Sequence, residues 1–584
     1  MPQATLVTAA GVSPTALRVD WVATTDANTW WVIVTSPNDR SVGQRTACGT
    51  CRSIVVDHLA PGSNYFVRVV AVDEASAFGP FAIAVGTTPP AAGCELTPSG
   101  SVCATVDTRA AAGDATGAGV GSLHGIDALT ADARVAAIDP SAWRLAALDY
   151  ERFHEARTHG GAITLILSDP WMNATQKQAP WANWDFYEWW IGAVVDGHIL
   201  RGAVPEYWEV QNEPSPSDYV GGDPATPELV FEQHRRAAAV IRTRLPDAAV
   251  IGPSSGYVRF GSGFDDAQGF LERAAATGMD LSGLSWHEIG ASCLGWCDGG
   301  PRAVLQHADD ARAAIAAAGL RDVELHVNEW GAPWNFRQPG AAVGYLSSLA
   351  YAGIDIANPA CWDTAETGTS LSTCFARPGM LDGLLLADGA TPTDAFHAHE
   401  TYADMTGPEF SLVESTIADA EASVLSTVDP AGVIRVLIGR HTGCQTDLDE
   451  HCPGLAYAAA RAVRTVLLTA AADGTSYTAT VERIPSVAGA LAAPTLLATR
   501  TLGVAGGRLD VGSYTMGDGS ALSITLVPTG APIAPTTTAT TTGPTTTVPP
   551  TTAPPTTAPP TTASPTTVTP TTAPTTTTTR RARR

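Results

Sequence analysis

The sequence predicts a multidomain protein with an N-terminal β-sandwich, a central (β/α)8 TIM barrel, a second β-sandwich and a disordered Thr/Pro-rich tail. Three observations carry this. Short alternating apolar runs occupy both flanks of the chain, with the period of half-buried strands. Between the flanks, short strand-like runs alternate with helix-length runs, the pattern of a parallel sheet wrapped by helices. From Thr529 onward the chain is almost wholly Thr, Pro and Ala, which cannot bury a core. A chain of 584 residues has room for several such units.

Residues 1–89 hold the runs "ALRVDWVA", "TWWVIVTS", "SIVVDHL", "NYFVRVVAVD" and "FAIAVGTT", separated by turn residues at sandwich spacing. In "LAPGSNYFVRVVAVD", Leu59, Pro61 and Tyr65 precede alternating Val67 and Val69, and a tyrosine there can tie its hydroxyl to backbone at a sheet corner. With Trp21, this module resembles a fibronectin type III domain. Residues 90–115, beginning at a Pro-Pro joint, are expected to be a linker closed by a disulfide loop.

Residues 116–405 supply the expected barrel. Its strand candidates are "GAGVGSLHGI", "ARVAAI", "AITLILSDP", "YWEVQNEP", "AAVIGPSSG", "LSGLSWHEIG", "VELHVNEWG" and "GIDIANPACW". Helical runs such as "ELVFEQHRRAAAVIRTRL" and "ADDARAAIAAAGL" lie between them. Residues 406–528 return to strand patterning in "ASVLSTVD", "VIRVLIGR", "TVLLTAA", "SYTATVERI" and "SALSITLV", and are expected to form the second sandwich. Residues 529–584 read as an extended stalk open to O-glycosylation.

The chain has 34 Lys+Arg against 58 Asp+Glu, a formal net charge of −24, and its single lysine is Lys177. That balance excludes nucleic acid and anionic lipid as expected partners, since both reward basic patches. No run is long and apolar enough for a membrane span. The ten cysteines fall into five close pairs: Cys48 with Cys51, Cys94 with Cys103, Cys293 with Cys297, Cys361 with Cys374, and Cys444 with Cys452. Short-range pairing in a large acidic chain points to disulfides and an extracellular location, although the opening "MPQATLVTAA" lacks the features of a signal peptide. Neither a metal nor a cofactor is expected: "CGTC" has no second ligand pair nearby, and His397 and His399 point apart on a helix. Nothing in the sequence speaks to oligomeric state.

Residues at the C-terminal ends of barrel strands face the active-site mouth. Glu213 ends the fourth strand candidate, where Pro214 forbids its continuation, and Glu329 ends the seventh. Each follows an asparagine, Asn212 or Asn328. Two carboxylates converging on one pocket suit glycoside hydrolysis, in which one gives a proton and the other attacks the anomeric carbon or activates water. Glu209 shares strand parity with Glu213 and needs a cationic partner inside a barrel, for which Arg144 is the candidate.

"WEVQNEP" and "HVNEWG" resemble the fourth- and seventh-strand signatures of the clan A retaining glycoside hydrolases. "GMLDGLLLADGATPTDAFHAHETYADM" resembles the closing segment of the family containing β-xylosidases and α-L-iduronidases. The resemblance implies Glu213 as acid/base, Glu329 as nucleophile, Asn212 on the sugar 2-hydroxyl and Trp362 as a platform under the reacting sugar. The first strand adds His124, the third Asp169 and Trp171, and the sixth His287. Trp330 and Trp334 follow the nucleophile and are expected to line outer sugar subsites. The chain has 15 Trp, most of them in the barrel, which favours a sugar-stacking cleft and a carbohydrate substrate. Gln211 stands where many relatives have Trp, a departure expected to alter the sugar pocket. The competing reading is a catalytically inactive carbohydrate-binding surface protein or adhesin.

Overall fold

A computed structural model describes residues 2–529 apart from 26, 28, 37–42, 73–78, 95–100, 169–178, 215–224, 257–265, 290–299, 333, 334, 336, 361–377, 442–459 and 487–491. The expected barrel is present as an eight-stranded, all-parallel sheet in sequence order. Its strands are Gly121–Leu123, Ala142–Ala146, Ala162–Ile166, Tyr207–Glu209, Ala249–Ser255, Gly283–Glu288, Glu324–Trp330 and Ile356–Pro359. The Ala357 amide donates to the Ala118 carbonyl at 3.0 Å, joining the last strand to the chain entering the first. Gly121 makes that approach possible, because a Cβ there would collide with the Ala357 carbonyl and the Asn358 side chain.

The second strand corrects the sequence reading. "ARVAAI" lies in a helix, Asp132–Ile138, whose buried residues Val135 and Ile138 are spaced i, i+3. The strand is instead "AWRLA", Ala142–Ala146, where Arg144 interrupts an otherwise apolar run. That interruption hid the strand, and it places a guanidinium inside the barrel.

The N-terminal residues form a three-stranded and a four-stranded antiparallel sheet enclosing one core. Val19 and Trp21 meet Trp30, Val32, Val67 and Val69 there, with the Trp21 and Trp30 rings 6.0 Å apart. Tyr65 makes the expected corner: its hydroxyl accepts the Ala60 amide at 2.6 Å.

Where the sequence predicts a second sandwich, the described residues of the C-terminal β region form one continuous nine-stranded sheet whose inward residues share one core. It includes a strand expected to be linker. Val102–Asp114 pairs antiparallel with Ser411–Ile417 and parallel with Arg461–Leu468.

Two of the five expected disulfides fall among the described residues, and both are formed. Cys94 is joined to Cys103 at the start of Val102–Asp114, and Cys48 to Cys51 in the first sandwich. The other three expected pairs lie outside the described residues: Cys293 with Cys297, Cys361 with Cys374, and Cys444 with Cys452. The disulfides expected at Cys297, Cys374 and Cys452 are therefore not among those the structure describes.

One helix locks the barrel to this sheet. Pro339–Tyr351 is buried on every side along most of its length, and it carries no charged residue. The Gly340 amide donates to the Gly519 carbonyl at 2.7 Å, and Ser347 and Tyr351 donate to the Val424 and Val413 carbonyls. A Cβ on Gly340 would collide with the Arg440 carbonyl, so the helix backbone lies directly on the strand.

Candidate active site

At the C-terminal ends of the strands, Arg144 organises a buried network. Its side chain is fully buried. Nε donates to Glu209 Oε2 at 2.6 Å, Nη1 to Glu329 Oε1 at 2.8 Å, and Nη2 to Asn212 Oδ1 at 2.6 Å and Ser254 Oγ at 3.3 Å. Asn328 Nδ2 also donates to Glu209, so that carboxylate is held by two strands. Burial disfavours the Arg144 charge, but Glu209 and Glu329 outweigh it and raise the pKa. One second-strand cation therefore orients groups from the fourth, fifth and seventh strands.

Glu329 reaches this network through a bulge. Trp286 pairs with Val327, whereas the next residue, His287, pairs with Glu329. The extra residue turns both Asn328 and Glu329 toward the arginine network.

Glu213 lies just beyond the fourth strand with φ +46, a costly backbone conformation for a glutamate. Its amide donates to the Ser254 carbonyl at 2.9 Å. Its Oε1 lies 3.0 Å from His287 Nδ1. His287 is buried, with Nε2 3.1 Å from Ser254 Oγ and 3.9 Å from Glu329 Oε1. Burial lowers the His287 pKa, but the Glu329 and Glu213 carboxylates more than reverse this, leaving it raised. The Glu213 side chain is 41% exposed and that of Glu329 17%, so both can meet a ligand from the mouth.

Glu213, His287 and Glu329 each offer a donor atom within 4.8 Å of the others. A divalent cation could contact this set, but Arg144 already occupies Glu329 Oε1 and repels one. The set is arranged for proton transfer and charge stabilisation.

The remaining sequence candidates are distributed unevenly. His124, at the end of the first strand, is buried with φ +60. Burial first, then Arg144 and Arg152, depress its pKa to about 3, so it is neutral. Trp330, expected to line an outer subsite, has its ring buried instead, 5.4 Å from Tyr345 and 5.8 Å from a nearly parallel His399. Gln211 does not face the site. Its amide donates to the Val230 carbonyl and its oxygen meets His234, in the layer between strand and helix. Trp171, Trp362, Asp169 and Trp334 lie outside the described residues.

Two neighbours were not read from the sequence. Ser254 is the penultimate residue of the fifth strand, in "GPSSG", where a polar residue near the strand end is the available signal. Asp382 follows the eighth strand from afar and accepts from Ser122 Oγ at 2.7 Å and the Leu123 amide at 2.5 Å. Burial raises its pKa to about 7, and Glu329 adds to the rise. No local motif marks it.

No family model and no curated protein matches the sequence. The fold is similar to that of many solved structures, among them these three. The GH39 enzyme of Xanthomonas axonopodis pv. citri shares 16% identity at a TM-score of 0.51, over 75% of this chain and 99% of that one. A monomeric beta-xylosidase of Caulobacter crescentus CB15 shares 15% at 0.51, over 73% and 99%. A glucosidase of Croceicoccus marinus shares 14% at 0.50, over 73% and 99%. At these identities the likeness is one of fold.

Proposed function

We propose that this protein is an extracellular retaining glycoside hydrolase acting on a carbohydrate polymer or oligosaccharide. The observation that carries the reading is the convergence of Glu213 and Glu329, from different strand ends, with carboxylate oxygens within 4.8 Å. Retention works with carboxyl groups about 5–5.5 Å apart, whereas inversion needs about 6.5–9.5 Å to seat a water. The names of the fold neighbours, a beta-xylosidase and a glucosidase, put xylosides and glucosides first among the substrates to test.

In this reading Glu329 attacks the anomeric carbon while Glu213 gives its proton to the departing oxygen. The C1–O bond breaks as the glycosyl–Glu329 ester forms. Glu213, now a carboxylate, then takes a proton from the water that cleaves the ester. Arg144 holds Glu329 in position for attack by donating to its Oε1. It also fixes Asn212 beside the sugar through Oδ1, leaving the amide NH2 to donate. The close cysteine pairs support an oxidising compartment, and the Tyr65 corner within a seven-stranded sandwich supports a fibronectin type III-like module.

The test is reducing-sugar release from xylans, glucans, arabinans, arabinogalactans and uronic-acid polymers, comparing wild type with Glu329→Gln. Release lost in the variant, with first-formed product in the substrate's anomeric configuration by NMR, supports the reading. Inverted product overturns retention. Binding to a polymer without release from any overturns catalysis.

A further inference from the structure

We infer that Glu213 and His287 hold one proton jointly, and that the Ser254 hydroxyl is the positioning group that keeps it on the pair. For its catalytic consequence this rests on the reading of Glu213 as acid/base.

The argument starts from what Arg144 can do. A guanidinium only donates, so the contact from Arg144 Nη2 occupies a lone pair of Ser254 Oγ. Ser254 keeps one more lone pair and one proton, and His287 Nε2 lies 3.1 Å away to use either. On the other side of the ring, Nδ1 meets Glu213 Oε1 at 3.0 Å.

Three states follow. With the pair deprotonated, Nδ1–H donates to the Glu213 carboxylate and Nε2 accepts the serine proton. When one proton is added, Nε2–H donates to Ser254 Oγ and the hydroxyl rotates. The added proton then lies along the Glu213–His287 contact, either as imidazolium beside carboxylate or as neutral acid beside neutral imidazole. Ser254 accepts in both protonated forms. When the glycosidic oxygen takes the Glu213 proton and its C1–O bond breaks, one proton remains on His287 at Nε2, donated to Ser254 Oγ, and exchange with water returns the ring to its Nδ1–H form.

The charges facing His287 favour this arrangement. Glu213 and Glu329 stabilise the imidazolium, Arg144 opposes it, and Glu209 offsets Arg144 from behind. Ser254 is also anchored apart from its hydroxyl. Its amide donates to Ser285 Oγ at 2.9 Å, and its carbonyl accepts the Glu213 amide. Its φ of +56 is one that glycine adopts freely, so Ser254→Gly deletes the hydroxyl without backbone strain.

The experiment follows the His287 ring nitrogens by NMR in protein labelled at histidine, with signals assigned by their loss in His287→Gln. Wild type, Ser254→Gly and Glu213→Gln are titrated across the histidine range and above it. The expected result is a His287 midpoint above the ordinary histidine value, falling by about one pH unit, a tenfold loss of proton affinity, in each variant. An unchanged midpoint in folded Ser254→Gly overturns the role of the serine. An unchanged midpoint in Glu213→Gln overturns the shared proton. On the polymer that wild type cleaves, the alkaline limb of kcat/KM shifts with the NMR midpoint. Absence of cleavage on every polymer counts against the glycosidase reading alone, because the NMR titration decides the proton pair without turnover.

Discussion

Arg144 and Glu209 meet at 2.6 Å with neither side chain exposed to solvent. The pair lies beneath the candidate active site and orients the arginine that contacts Glu329. Removing one partner of a buried pair leaves an uncompensated charge, a change that costs about 3–5 kcal/mol. Arg144→Met is therefore expected to be strongly destabilised in urea denaturation, and Arg144→Met/Glu209→Gln to recover part of the loss. Arg144→Lys should not substitute, because a lysine cannot span four acceptors with a planar fork. Wild-type stability of Arg144→Met would sink this account.

The two glutamates should fail in different ways. Under the proposed mechanism, Glu329→Gln removes the attacking group and is expected to abolish turnover on every substrate. Glu213→Gln removes general acid assistance, worth about 10²–10⁴-fold, and its effect should shrink on aryl glycosides with good leaving groups. Equal losses on activated and unactivated substrates would count against Glu213 as the acid.

Much of this site was legible in the sequence. The Asn-Glu pairs at two strand ends marked Glu213 and Glu329, and the parity of Glu209 called for a buried cation, which Arg144 supplies. What stayed hidden depends on contacts between distant residues. Arg144 concealed its own strand by breaking an apolar run. Trp330 read as a lining of the outer sugar subsites until its stack with His399 was visible. Val102–Asp114 read as linker because its pairing partners lie hundreds of residues later.

Stability should peak at about pH 6.5, the ordinary histidine value. Burial lowers the pKa values of His124, His234 and His441 to about 3 and of His399 to about 4. These histidines are neutral when folded and protonate on unfolding below about pH 6.5. Each removes about 1.4 kcal/mol per pH unit as pH falls toward its folded value. His287 and Asp382 have raised folded values and act oppositely, with stabilisation lost as pH rises through them. Denaturation midpoints at several pH values should trace this peak, and His234→Gln should flatten the acid limb. A flat profile on the acid side of the peak would contradict it.

Gly121→Ala should destabilise the barrel by about 1–3 kcal/mol, the usual effect of overpacking, because the new methyl meets the Ala357 backbone. Gly503→Ala is the control, since a Cβ there meets nothing within 4 Å. Thermal melts of the two variants should separate clearly.

The path of the chain sets an order of events on the ribosome. Val102–Asp114 is synthesised before the barrel, yet its neighbours Ser411–Ile417 and Arg461–Leu468 emerge only after the barrel is complete. The β domain thus cannot finish folding until a whole enzyme-sized insertion has left the exit tunnel. Once it does, adjacent antiparallel strands grip the chain where it enters and leaves the barrel, and fraying from either end is checked. Excising residues 116–405 as an independent catalytic fragment would cut both strands from their grip and expose the buried face of Pro339–Tyr351. The practical unit for expression therefore keeps Val102–Asp114 and the C-terminal strands together with the barrel.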